Sequence, residues 1–77
     1  MPNVVSKLDV RVLPPREKHP AIFRLIDELK AGEALQITND HDPMPLFYQI
    51  QAERPGQFQW VKGEAGPEVW TVDIVKN

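Results

Sequence analysis

Apolar and polar residues alternate in four short segments of the chain. In the segment 7–12, leucine and valine fall at every second position, which is the period of a strand with one buried face. The same alternation recurs at 33–39, 57–60 and 70–74. The pattern therefore predicts four strands that each bury one face.

A segment with helical spacing lies between the first two predicted strands. His19-Pro20 is predicted to open this helix, because proline at the first helical position loses nothing by lacking an N–H. Apolar residues continue at helical spacing to Leu29, and Gly32 is predicted to end the helix in the left-handed conformation.

A second amphipathic segment follows the strand at 33–39. We expect Asp42 to cap this helix and Pro43 to be its first residue. Pro55-Gly56 is predicted to end it.

The predicted order is β-α-β-α-β-β, with a turn at 63–67 between the last two strands. Strands buried on both faces read as continuous apolar runs, whereas these alternate. We therefore expect one α+β domain over 1–77, with an ordered core at about 7–75. Its fold is predicted to be a two-layer sandwich, in which two helices cover one face of a four-stranded mixed sheet.

Composition excludes several classes of function. The net charge of −2 disfavours nucleic-acid binding, which needs a concentrated basic face. The chain has no cysteine, so it has no disulfide, thiol nucleophile or thiolate ligand. No apolar run reaches the roughly 20 residues that cross a bilayer, and the first seven residues are too polar for a signal peptide. We expect a cytoplasmic protein without membrane contact.

Asn39-Asp40-His41-Asp42-Pro43 is the most unusual stretch of the sequence. In a β-α unit, such a block lies beyond the carboxyl end of a strand, where open α/β sheets bind ligands. If the first two strands are parallel neighbours, His19 and His41 share one rim of the sheet. A candidate site follows, consisting of His19, Asp40, His41 and Asp42, with Arg11 or Arg16.

The residue types at this rim fit more than one function. Two imidazoles, His19 and His41, could bind a metal ion or contribute an axial ligand to haem. Anion binding at paired helix starts is a second possibility, weakened by the neighbouring carboxylates. The block could instead be structural, with Asp42 as helix cap and with Asn39 and Asp40 in a turn. No nucleophile with an adjacent base is visible, so we do not expect an enzyme.

The aromatic residues give two further expectations. Trp60 and Trp70 fall in phase with apolar strand neighbours and are predicted to pack in the core. Tyr48 points about 100° away from Phe47 on a helix, towards the rim or a partner surface.

Motifs along nearly the whole chain resemble known families. The frame of Leu8-Asp9, Leu13, Gly32-Glu33 and Leu35 is similar to the TusA/SirA sulfur-carrier superfamily of β-α-β-α-β-β sandwiches. The chain more closely resembles the domain of unknown function 2249 family. The matching elements are Asn39 to Pro43, Pro45-Leu46, Tyr48-Gln49, Glu53, Pro55-Gly56, Phe58, Trp60 and Gly66-Pro67-Glu68 with Trp70.

The resemblance to sulfur carriers implies architecture without their chemistry. Their carrier cysteine registers with Pro15 here, and persulfide transfer requires the sulfur atom. The closer family occurs alone, in tandem or fused to hemerythrin-like domains, with links to respiratory, nitrogen-oxide or metal-related processes. His19 and His41 match positions where that family's pattern carries histidine.

Two hypotheses of function follow. In the first, the protein is a non-catalytic binding module, and a metal ion, haem or small polar molecule binds at the histidine rim in support of a redox partner. In the second, the rim is purely structural. Exposed groups around Tyr48 and the last strand then contact another protein, such as a hemerythrin-like one.

Overall fold

The computed structural model describes residues 3–77, in which one face of a four-stranded sheet is covered by two helices. The elements in chain order are β1 (Asn3–Asp9), α1 (Pro15–Asp27), β2 (Glu33–Asn39), α2 (Met44–Glu53), β3 (Phe58–Ala65) and β4 (Trp70–Lys76). This arrangement confirms the predicted α+β class and the order β-α-β-α-β-β.

The strands lie in the order β1-β2-β4-β3 across the sheet. β1 and β2 are parallel, and both β4 pairings are antiparallel. A parallel pair needs a crossover connection, which α1 supplies. Because β1 and β2 run in the same direction, their carboxyl ends lie at the same end of the sheet. The connections to α1 and α2 start there.

The hydrophobic core lies between the two helices and the covered face of the sheet. Each helix contributes branched or aliphatic side chains one to two turns apart, and the central strands β2 and β4 contribute alternate residues. Its buried members include Ile22 and Ile26 from α1, Leu46 and Ile50 from α2, and Leu35, Ile37, Val72 and Ile74 from the strands. Full burial of such a side chain is worth roughly 1.5–3 kcal/mol, so this contact surface holds the two layers together.

The first strand differs from the prediction. It was expected over 7–12, but β1 ends at Asp9 and Val10–Val12 forms a short 3-10 turn. The cause is the Asp9 carboxylate, whose Oδ1 accepts the backbone N–H of Arg11 at 3.0 Å and turns the chain. As a result Val10 is buried whereas Val12 is 77% exposed, although both fall on the same phase of the alternation.

The start of the first helix was also predicted wrongly. α1 begins at Pro15, so His19-Pro20 lies inside the helix. Pro14 has the extended backbone of a helix cap, and Pro15 occupies the first helical position, which tolerates proline because its N–H would be unpaired anyway. Pro20 removes one N–H from the helix interior, and the helix continues past it to Asp27.

Gly32 does not end α1, contrary to the prediction. The helix ends at Asp27, and Gly32 lies in the turn before β2 with a φ of +84°, which glycine adopts at no steric cost. Its N–H donates to the Lys76 carbonyl at 2.8 Å, and its own carbonyl accepts from Asn3 at 3.1 Å. The turn therefore joins the ends of β1 and β4.

The predicted turn at 63–67 is shorter than expected. Residues 63–65 extend β3, and the register between β3 and β4 shifts between Lys62 and Ala65. Thr71 Oγ1 accepts the Glu64 N–H at 2.7 Å within this irregular segment. The chain then reverses between Gly66 and Val69, where the Gly66 N–H donates to the Val69 carbonyl at 2.8 Å.

A bidentate ion pair connects the far ends of the two helices. The Arg54 guanidinium, just after α2, donates to both Asp27 oxygens at 2.9 Å. The hydrogen bond from Arg54 lowers the pKa of Asp27 below its ordinary value.

Within residues 3–77, no helix is long and apolar enough to cross a membrane.

We predict that Ile37→Ala lowers the free energy of unfolding by about 2–5 kcal/mol, because it removes a fully buried side chain from the centre of β2. Val12→Ala is the matched control, since Val12 is mostly exposed and its truncation should change stability by less than about 0.5 kcal/mol. Urea denaturation monitored by circular dichroism measures both. Equal effects of the two substitutions would contradict this assignment of the core.

Candidate functional site

The loop between β2 and α2 is fixed by local hydrogen bonds. Asn39, at the end of β2, is only 8% exposed, and its Oδ1 accepts the Asp40 N–H at 2.8 Å. Asp42 Oδ1 accepts the Met44 N–H at 3.1 Å, the hydrogen bond that was predicted, although Pro43 and not Asp42 occupies the cap position of α2. These two side chains set the path of the loop and the start of the helix.

Pro43 differs in position from the prediction. It was expected as the first helical residue, but α2 begins at Met44 and Pro43 stands just before it. Its carbonyl accepts the N–H groups of Leu46 at 3.0 Å and Phe47 at 3.2 Å, so the proline carbonyl starts the helix. Pro43 is also buried, and a surface cavity lies on each side of it.

The first cavity brings His19 and His41 together. It has a volume of about 70 Å³ and lies between the start of α2 and the first turns of α1. Lys18 and Asn39 add an ammonium and an amide to the two imidazoles. The remaining lining residues are apolar: Val10, Ile22, Pro43, Pro45 and Leu46. We call this the histidine cavity.

Asp40 orients one of the two imidazoles. The Nδ1 of His41 lies 2.7 Å from Asp40 Oδ1. This hydrogen bond lowers the pKa of Asp40 below its ordinary value, and the nearby charge of Lys18 lowers it further. An ionised carboxylate accepts a hydrogen bond from Nδ1–H and so favours the tautomer in which Nε2 carries the free lone pair. That lone pair is the one a metal ion uses.

The arginines of the predicted site take other roles. The Arg11 guanidinium donates to both oxygens of Asp9, at 2.8 and 2.7 Å, and this hydrogen bond lowers the pKa of Asp9. Asp40 adds a weaker coulombic effect that helps to raise the pKa of Arg11. Arg16 is exposed in the first turn of α1 and does not line the histidine cavity. Neither guanidinium is placed to hold a ligand there.

The acidic residues divide between two sides of the loop. Asp40 belongs to the histidine side through its hydrogen bond to His41, whereas Asp42 accepts the Met44 N–H at the start of α2 and lines the other cavity. Across residues 3–77, no group of three or more histidine, aspartate or glutamate side chains is arranged to hold a metal ion. A metal at the histidine cavity would therefore take two ligands from this chain and the rest from elsewhere.

A second cavity, of about 50 Å³, was not predicted. Trp60 and Trp70 both line it and are half-buried; Trp60 packs against the core as predicted, whereas Trp70 is not part of the core cluster. Trp60 packs edge-to-face on Phe47, with ring centroids 5.3 Å apart. Only part of each indole is thus covered. Strand periodicity identifies the face on which a tryptophan lies, but it does not show whether a helix reaches over it. We call this cavity the tryptophan cleft.

Tyr48 lies on the outer side of α2. Its ring is packed edge-to-face on Phe47 at a centroid distance of 5.5 Å, yet the residue is 64% exposed. The residue is thus available at the surface, away from the core.

A protein-family model matches residues 7–76, nearly the whole chain; its description reads "Uncharacterized conserved protein (DUF2249)". The chain belongs to the domain of unknown function 2249 family. The loop from Asn39 to Pro43 and both cavities lie within the matched region of this family member. The relation to the TusA/SirA superfamily stays a prediction.

No significant similarity links the chain to a curated protein or to a solved structure. The family assignment therefore identifies no substrate, ligand or partner for this chain.

We predict that His41→Ala raises the pKa of Asp40 towards its ordinary value, because the variant removes the hydrogen bond that favours the carboxylate. In the parent protein, the contact with His41 stabilises the fold at pH values above about 4, the pKa of Asp40 in the unfolded chain. This stabilisation is lost as the pH falls through the lowered pKa of Asp40 in the folded state. Carboxyl-detected NMR titration measures the change. His19→Ala is the matched control and should leave the Asp40 titration in place. An unchanged pKa in His41→Ala would contradict the assigned contact.

Proposed function

We propose that this protein is a binding module, not a catalyst, and that its histidine cavity takes a divalent transition-metal ion or the metal of a larger group. The observation that carries the proposal is that His19 and His41, from two different elements, line the same cavity. Neutral imidazole is a common ligand for zinc, copper, nickel and iron.

The surroundings of His41 support this proposal. Metal-bound histidines usually donate their second ring N–H to a carboxylate or carbonyl, which fixes the tautomer and raises the basicity of the ligating nitrogen. Asp40 stands in that relation to His41 at 2.7 Å. Lys18 in the same cavity opposes a cation, and the Asp40 carboxylate offsets its charge.

The size of the cavity limits the kind of ligand. Pockets that enclose a drug-sized molecule have volumes of about 300–1,000 Å³, well above the roughly 70 Å³ found here. A haem could not be enclosed, and its iron would be reached only from the mouth of the cavity. A metal ion with water, or with ligands from a partner protein, fits better. A redox protein such as a hemerythrin-like one is the partner class that we propose.

Isothermal titration of the purified protein with zinc or copper(II) tests the proposal. We expect one metal ion per chain, with affinity reduced about tenfold or more in His19→Ala and in His41→Ala. Asp40→Asn, which keeps the shape but removes the charge, should weaken binding by a factor of about ten to a hundred.

Gln51→Ala is the matched control, because Gln51 is an exposed residue of α2 outside the histidine cavity. It should bind metal as the parent protein does. The proposal fails if the double variant His19→Ala with His41→Ala remains folded by circular dichroism and gives the same binding isotherm as the parent.

A second candidate function is that of a protein-interaction or regulatory domain in which the loop is structural. Two observations favour it: Tyr48 is 64% exposed on the outer side of α2, and the side chains of Asn39 and Asp42 serve the local backbone. If this second function is correct, His41→Ala lowers the free energy of unfolding by about 1 kcal/mol or less and does not change the binding of any ligand. A partner that the parent protein captures reproducibly in a pull-down and that Tyr48→Ala does not capture would support this second function, provided that neither protein binds metal.

A further inference from the structure

The tryptophan cleft contains both tryptophans of the chain. Trp60 extends from β3, where it pairs with Ile74, and Trp70 extends from the start of β4, where it pairs with Ala65; both line the cleft. A half-buried indole leaves apolar surface in contact with water, and two of them in one cleft make an aromatic surface that a ligand can cover.

Three charged side chains border the aromatic surface. Asp42 comes from the loop before α2, and Lys62 and Glu64 come from the irregular end of β3. No ion pair joins Lys62 to either carboxylate within residues 3–77. The cleft is therefore lined by two carboxylates, one ammonium and two indole rings, a set with a net negative charge.

We propose that the tryptophan cleft is a binding site for an alkylammonium group. Indole faces attract cations through the ring quadrupole, and tryptophan does so best. Asp42 and Glu64 add coulombic attraction at the border of the cleft. The volume of about 50 Å³ suits a small cationic head group better than a whole organic ligand.

Within residues 3–77, no lysine or arginine side chain lies over the ring of Trp60 or Trp70. In the described part of the chain, the cation–ring contacts are Arg54 over Phe23 and Lys76 over Phe58, each at 5.3 Å from the ring centroid. The indoles of Trp60 and Trp70 are left for an external group. Lys62, whose long side chain can extend into water, is the one residue that opposes a cation here.

This site is separate from the histidine cavity. The two share only Pro43, which is buried between them, and the alkylammonium site needs neither imidazole. The inference thus goes beyond the proposed metal binding, and either can fail without the other.

NMR spectroscopy of the full chain tests the proposal. The two indole N–H signals report directly on the cleft, because the chain has no other tryptophan. Choline is titrated against 3,3-dimethyl-1-butanol, which has the same shape without the charge. We expect saturable shifts of both indole signals with choline, and affinity about tenfold or more above that of the neutral alcohol.

Charge variants give effects of opposite sign. Glu64→Gln should weaken choline binding, and Lys62→Gln should strengthen it, each by about three- to tenfold, because they remove an attractive and a repulsive charge. Glu28→Gln and Lys30→Gln are the matched controls, since both residues are exposed after α1 and outside the cleft. They should leave choline affinity unchanged.

A peptide with a trimethylated lysine is the second ligand. Tighter binding of the peptide than of choline would identify a protein side chain as the source of the alkylammonium group, and the reverse would identify a small molecule. Both outcomes support the proposal. Indole shifts no larger than those caused by matched sodium chloride would overturn it. Equal affinity for choline and the neutral alcohol, or no change in Lys62→Gln and Glu64→Gln, would overturn it as well.

Discussion

The parallel pairing of β1 with β2 is the constraint on which the rest of the molecule depends. Parallel neighbours require a crossover, and α1 makes that crossover over the face that buries Leu35 and Ile37. The pairing also brings the carboxyl ends of both strands to the same end of the sheet. The histidines of the loop after β2 and of the early turns of α1 meet there because of strand direction, although they are 22 positions apart in sequence.

The loop from Asp40 to Pro43 lies between two chemically different surfaces at that end of the sheet. On one side lie the imidazoles with Lys18 and the Asp40 carboxylate, and on the other lie the indoles with two carboxylates and Lys62. Asp40 and Asp42 are separated by one residue, yet they lie on opposite sides: the first orients His41, and the second accepts the Met44 N–H at the start of α2. The buried Pro43 lines both cavities and so lies at the boundary between them.

Hydrophobic periodicity predicted much of this fold. The bounds of β2 were predicted to the residue, because Leu35 and Ile37 alternate with polar neighbours between the turn at Gly32 and the polar block after Asn39. Prediction failed where a polar side chain or proline redirected the chain. Asp9 turned the end of β1 into a 3-10 turn, and Pro14-Pro15 started α1 earlier than His19-Pro20.

The candidate site was predictable in part for the same physical reasons. The position of His19 and His41 on one cavity followed from strand direction, and the hydrogen bond from the Met44 N–H to Asp42 followed from the polar residue before Pro43, although the cap position itself is Pro43. The capture of Arg11 by Asp9 was not foreseeable, because it depends on the turn that the sequence pattern did not show. The tryptophan cleft was missed because it depends on how far α2 extends over β3 and β4.

The most direct test of the central claim, that the two histidines form one site, is long-range ¹H–¹⁵N NMR of the imidazole nitrogens during zinc titration. We predict that one ring nitrogen of His19 and Nε2 of His41 shift together and saturate at one zinc per chain, while Nδ1 of His41 keeps its proton and its contact with Asp40. Shifts that saturate independently, or that affect one ring alone, would contradict the claim.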